Sequence, residues 1–154
     1  MAILAFAVAG IVMPLMAGTN QSYLSSRYTV AVNLAQALMD EILAKPFHDP
    51  QAPSSFNLGP GPGEDTRPEL DNIDDYHGLV EPAGGLEDAN GQSINEPTLS
   101  RFSRYVWAEY VYLPGQDDGD DPTFILVMVQ VKDGSMPMVT LKRLISSAER
   151  TVVP

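Results

Sequence analysis

The first charged side chain in this sequence is Arg27, and the chain opens on a wholly apolar run, Met1–Ala17. That run limits the possible folds more than any other feature. As a helix it is about 25 Å long, somewhat short of the roughly 20 apolar residues that cross a bilayer core. Three readings compete. A cleaved secretory signal has small residues at Met16-Ala17-Gly18 to cut near, but it would normally open on Lys or Arg. A core helix apolar on every side needs protein on every side, and the rest of the chain is small for that task. A membrane helix that begins upstream of Met1 accounts for both the shortness and the absent basic flank. Within the run, Pro14 removes a helical hydrogen bond and predicts a kink, which neighbouring helices can accommodate.

Beyond the run the pattern changes. Tyr23, Leu24, Tyr28, Ala31, Val32, Ala35, Leu38, Met39, Ile42 and Leu43 recur at three- and four-residue steps, with Asn20, Gln21, Arg27, Asn33, Gln36, Asp40 and Glu41 between them. This is an amphipathic helix. Pro46 stops it, and Lys45 stands in its last turn to complement the helix dipole. One helix is therefore predicted from near Met1 to Ala44, with residues 1–18 forming an apolar half suited to lipid. A head follows over 19–154: the amphipathic half at 19–45, an irregular acidic region at 46–100 and a sheet at 101–150.

Between Pro46 and Ser100 eleven acids face one base, Arg67, so this stretch carries net −10 of the chain's −11. Such a field repels phosphate backbones and argues against nucleic acid as a partner. Prolines and glycines punctuate the stretch. Phe47, Phe56, Leu58, Leu70, Ile73, Tyr76, Leu79, Val80 and Leu86 offer apolar anchors, so an ordered wrap is expected, with a short strand or helical turn around Ile73 to Leu79. A disordered insert is the alternative.

After Ser100 three strands are predicted, at 104–113, 123–132 and 138–145. In the first, Val106, Ala108, Tyr110 and Tyr112 alternate with Tyr105, Trp107, Glu109 and Val111. Asp133-Gly134 turns the second into the third, and Pro137 precedes the third. An antiparallel meander resting on the amphipathic helix gives an α+β fold with a two-layer core.

No constellation for catalysis is present. The chain has no cysteine, so thiolate chemistry and disulfides are excluded. His48 and His77 lack a His-x-x-x-His partner and read as solvated loop imidazoles, and no Gly-x-Ser-x-Gly elbow exists. Gly59-Pro-Gly-Pro-Gly63 lacks the Lys of a phosphate loop. Acidic loops supply calcium candidates: Asp117, Asp118, Asp120 and Asp121 in the first hairpin loop, the run Asp71–Asp75, and Asp88–Glu96, which resembles half a calcium loop but reaches its Glu too early. The competing reading is a solvated acidic surface.

Ala2–Pro14 together with Asn33–Leu43 resembles the type IV pilins and type II secretion pseudopilins, most closely the minor-pseudopilin branch. In that family a prepilin peptidase cuts after a Gly, the new N-terminal Phe is methylated, a Glu follows, and a helix-breaking proline stands about where Pro14 does. The cleavage motif and the Glu are absent from this sequence, and the resemblance places roughly ten helical residues upstream of Met1. It implies a pilin-like fold: a long N-terminal helix packed on a C-terminal antiparallel sheet, with an irregular acidic loop region. It also implies a structural, non-enzymatic role in a secretion or pilus-like filament. The expected partners are other pilin-like subunits, the inner-membrane assembly machinery and the peptidase, with a single-pass anchor in a bacterial inner membrane and the head outside. Ala5, Ala7, Ala9 and Gly10 would then allow close helix approach. Some pseudopilins of this kind hold a calcium in a C-terminal loop, which bears on Asp117–Asp121; no other cofactor is expected. The alternative function is an exported or membrane-anchored acidic binding domain with no filament role.

Overall fold

The computed structural model describes residues 2–53, 55–116 and 121–150, with side chains described within 21–148. One helix, α1 (Ala2–Leu43), leads the chain. Four strands follow: β1 (Val80–Glu81), β2 (Phe102–Val111), β3 (Phe124–Asp133) and β4 (Met136–Ser146). They form one sheet in the order β1-β2-β3-β4, each neighbour antiparallel. The architecture is α+β, a helix packed on an antiparallel meander.

The helix meets the sheet through Ala31, Leu34, Ala35, Leu38, Met39 and Ile42, which lie on one face at helical spacing. Opposite them stand the inward residues of the strands, Val106 and Ala108 of β2, Ile125, Val127, Val129 and Val131 of β3, and Ile145 of β4. Truncating Leu38, which is fully buried, should cost about 2–5 kcal/mol in a denaturation experiment. Leu24→Ala should change head stability by about 0.5 kcal/mol or less, because Tyr23, Leu24 and Tyr28 are exposed on α1. The helical pattern includes those three residues, but the sheet reaches only as far as Arg27, which pairs with Asp133 and lies over the Phe102 ring. Above that point α1 leaves the head.

Several boundaries depart from expectation. β2 begins and ends two residues early, since Pro114 and the turn after it cannot continue a ladder. Strand β1 was hidden because it is two residues long and Pro82 follows it. Pro137 lies inside β4, beside a register shift at Val131/Lys132 that absorbs its missing N–H. The β3–β4 turn falls on Gly134-Ser135, not Asp133-Gly134, because Asp133 still pairs with Met136. Gly134 takes φ +58 there, as a first central turn residue of positive φ requires. Lys45 stands past the end of α1 and donates from Nζ to the Leu70 carbonyl.

The acidic wrap lies against the core. Phe47, Leu70, Ile73, Tyr76 and Leu86 are buried, whereas Leu58 and Val80 are exposed. A short 3-10 turn at Asp74–Tyr76 lies within the expected stretch. Ile73 N–H bonds the Pro46 carbonyl at 3.1 Å, which closes the wrap onto the end of α1.

Candidate functional site

Two charged constellations of the head involve the acidic wrap. The first is a clamp. Arg67, the only base between Pro46 and Ser100, is inserted between the helix and the sheet. Its Nε and Nη2 donate to the two oxygens of Glu41 on α1, at 2.6 and 2.9 Å, and its Nη1 lies 3.4 Å from Glu81 on β1. Glu81 in turn accepts from Arg104 of β2 at 2.5 and 2.7 Å. Arg104 also donates to the Glu87 carbonyl at 2.6 Å, and Glu87 N–H returns to Glu81 at 2.9 Å. Tyr76 completes the set with a 2.8 Å bond to Glu41, and the Arg67 guanidinium lies over its ring. Burial alone would raise the Glu41 carboxyl. The bonds and charge of Arg67, aided by Tyr76 and Arg104, outweigh burial and hold it below the usual carboxylate range. Burial and then Glu41 push the Tyr76 hydroxyl up, so it stays protonated.

The second constellation has no base inside it. Glu64, Asp71 and Asp75 each bring a carboxylate oxygen within 4.8 Å of the others. Asp75 accepts the Asp71 and Asn72 N–H groups at 2.8 and 2.9 Å, and Asn72 accepts the Asp75 N–H at 3.1 Å. Glu64 accepts the Gly61 N–H at 2.6 Å. Asp71 accepts from Gln51 with one oxygen, at 3.3 Å, while its other oxygen is buried without a donor. Asp74 accepts the Tyr110 hydroxyl. Burial first, then neighbouring carboxylates, raises Glu64 and Asp75, and burial takes Asp74 up to about 7.

The calcium candidates fare differently. Asp117, Asp118 and Asp120 lie outside the described residues. Asp121 is exposed, and its carbonyl accepts from Gln116 at 3.1 Å. In the Asp71–Asp75 run, Asp75 is occupied by local backbone N–H groups and Asp74 by Tyr110. Asp88 caps its own turn, accepting from Asn90 and Gln92 at 2.9 Å each. The three oxygens of Glu64, Asp71 and Asp75 are the one acid set of the described residues close enough to face a common cation. The histidines are not free loop imidazoles. His77 packs at a tilt against Trp107, ring centroids 4.4 Å apart, with Nδ1 at 2.6 Å from the Ala108 carbonyl, and His48 packs between Phe47 and Phe56. Helix α1 runs through Pro14, and the side chains of Ala5, Ala7, Ala9, Gly10 and Pro14 lie outside those described. Among the described residues no helix is long and apolar enough to cross a membrane.

The clamp residues Glu41, Arg67, Glu81 and Arg104 were missed in the sequence. The available signal was a lone base inside a long acidic stretch, since an isolated charge there is stabilised by carboxylates on several sides.

No protein-family model, curated protein or solved structure matches this chain. The function is therefore read from the chain's own build.

Proposed function

We propose that the chain is a minor-pseudopilin-like structural subunit of a type II secretion or type IV pilus-like filament, anchored by its N-terminal helix in a bacterial inner membrane. One observation carries the reading. Helix α1 has 42 residues, about 60 Å of length, yet its described buried positions begin only at Ala31. Gln21 to Ser26 are exposed all round as the helix leaves the head. The run Met1–Ala17 ahead of them is apolar, and no charged residue precedes Arg27. A helix that is apolar at one end and docked on a sheet at the other suits a subunit held first by lipid and then by neighbouring helices. The mechanism is assembly, and the head presents contacts to other subunits or cargo.

Mass spectrometry of the native polypeptide from its own membranes tests this. Prepilin-type processing with a methylated N-terminal residue is the expected result. An unmodified start, or a cut just beyond Ala17, overturns the reading in favour of a simple exported acidic domain.

A further inference from the structure

A cleft of about 520 Å³ opens beside Gly78 and Leu79, which lead into β1. Its size falls within the roughly 300–1,000 Å³ of pockets that hold small ligands. Leu70 and Leu79 give it apolar walls, and Glu64, Asp65, Asp75 and Glu87 bring carboxylates to it. Two observations show what an occupant must supply. The oxygens of Glu64, Asp71 and Asp75 lie within 4.8 Å of one another with no base among them, and one Asp71 oxygen is buried without a donor. Burial first, then neighbouring acids, keeps Glu64 and Asp75 raised, as befits carboxylates short of a cation. The second observation is a donor. Arg67 lines the cleft with its side chain 2 % exposed, and its Nη1 stands 3.4 Å from Glu81 but makes no hydrogen bond among the described residues. A buried N–H left open calls for an acceptor. A complementary occupant therefore carries a cation and, close to it, a neutral acceptor such as a peptide carbonyl.

The carboxylates also select the cation. Glu64 already accepts the Gly61 N–H with Oε2, and Asp75 accepts the Asp71 and Asn72 N–H groups with Oδ2. Each has one oxygen left to offer. At these two buried acids a fork-shaped guanidinium finds no two-oxygen partner, whereas an ammonium directs three separate donors. The aliphatic stem of a lysine would lie along Leu70 and Leu79.

We infer that the cleft beside β1 takes a lysine side chain from an extended segment of a different protein, its ammonium among Glu64, Asp65, Asp75 and Glu87 and a backbone carbonyl on Arg67 Nη1. A second copy of this chain is the wrong source. It would bring its own net charge of −11. Of its three lysines, Lys45 donates to the Leu70 carbonyl and Lys132 lies over the Tyr105 ring. Strand alternation puts the third, Lys142, on the opposite face of the sheet from Arg143, so no basic patch is concentrated there. The site belongs to the head and does not depend on filament assembly.

Trp107 reports on the cleft, because His77 lines it and packs against the indole. The full chain in non-ionic detergent is titrated at physiological salt with the capped tripeptide acetyl-Ala-Lys-Ala-amide, following Trp107 fluorescence. Saturable one-site binding is expected, with none for the norleucine twin, which lacks the ammonium. Glu64→Gln should weaken it about ten-fold, and so should Asp65→Lys, an exposed position whose reversal leaves the core intact. Glu96→Gln, an exposed acid outside the cleft lining, should bind like the wild type. Absence of saturable binding, or binding indifferent to Glu64→Gln and Asp65→Lys, overturns the inference. Spermidine matching the tripeptide would assign the cleft to free polyamines, and calcium chloride displacing the tripeptide at equal concentration would assign it to a metal; either result also overturns it.

Discussion

Replacing Arg67 by alanine should destabilise the head by about 3–5 kcal/mol, the scale for removing one partner of a buried ion pair. The guanidinium is 2 % exposed on its side chain and answers two carboxylates, Glu41 on the helix and Glu81 on β1. Without it Glu41 keeps only the Tyr76 hydroxyl, while Glu81 retains Arg104. Most of the loss therefore comes from a stranded Glu41 carboxylate rather than from the bonds themselves. Arg67→Met combined with Glu41→Leu should accordingly recover much of the stability, since paired replacement leaves no orphan charge. Arg67→Lys should fall between, because an ammonium cannot match the two-pronged geometry. Urea denaturation of the full chain in detergent, followed by Trp107 fluorescence, measures all three. A loss under about 1 kcal/mol for Arg67→Ala would place the clamp in the class of solvated surface pairs. Because Arg67 belongs to the wrap and Glu41 to α1, the same variant should loosen the wrap first, visible as protease cuts between Pro46 and Ser100.

How far this arrangement could be read beforehand depends on the range of the forces involved. Strands β2 and β3 were legible because alternation is local: Val106 and Ala108 turn inward and Trp107 outward, as their spacing requires. The helix face was legible over Ala31–Ile42 for the same reason. Periodicity names a face and says nothing about where its partner ends, so Tyr23, Leu24 and Tyr28 were placed in the packed stripe although the sheet stops below them. The clamp joins residues 26 and 23 positions apart, and no local pattern encodes such pairings. His77 shows the same limit: its imidazole reaches Ala108, 31 residues on, and extends the β1 edge with a side chain.

A second consequence follows from the carboxylates that lack a base. Asp74 is 3 % exposed and accepts the Tyr110 hydroxyl. Burial chiefly, and then the charges of Asp75 and Asp49, lift it from 3.8 to about 7 against the opposing Tyr110 bond. Between those two values the folded chain holds a proton that the unfolded chain releases. Stability from this group is thus full below about pH 4 and declines as pH rises through about 7. Glu64 and Asp75 are raised and act in the same direction. Glu41 acts oppositely: its carboxyl is lowered, so its contribution is present above the ordinary glutamate range and is lost as pH falls through its folded value. The expected profile rises from pH 8 to about pH 5 and falls only in stronger acid, where the clamp protonates. Thermal melts should show the midpoint several degrees higher at pH 5.5 than at pH 8, at about 2–4 °C per kcal/mol for a chain of this size. Asp74→Asn keeps an acceptor for Tyr110 and removes the charge. It should therefore raise the midpoint at pH 8 and flatten the slope, with little change at pH 5. A wild-type midpoint that instead drops steadily from pH 8 to 5.5 would mean that Asp74 is ionised in the fold and that its burial does not hold the proton.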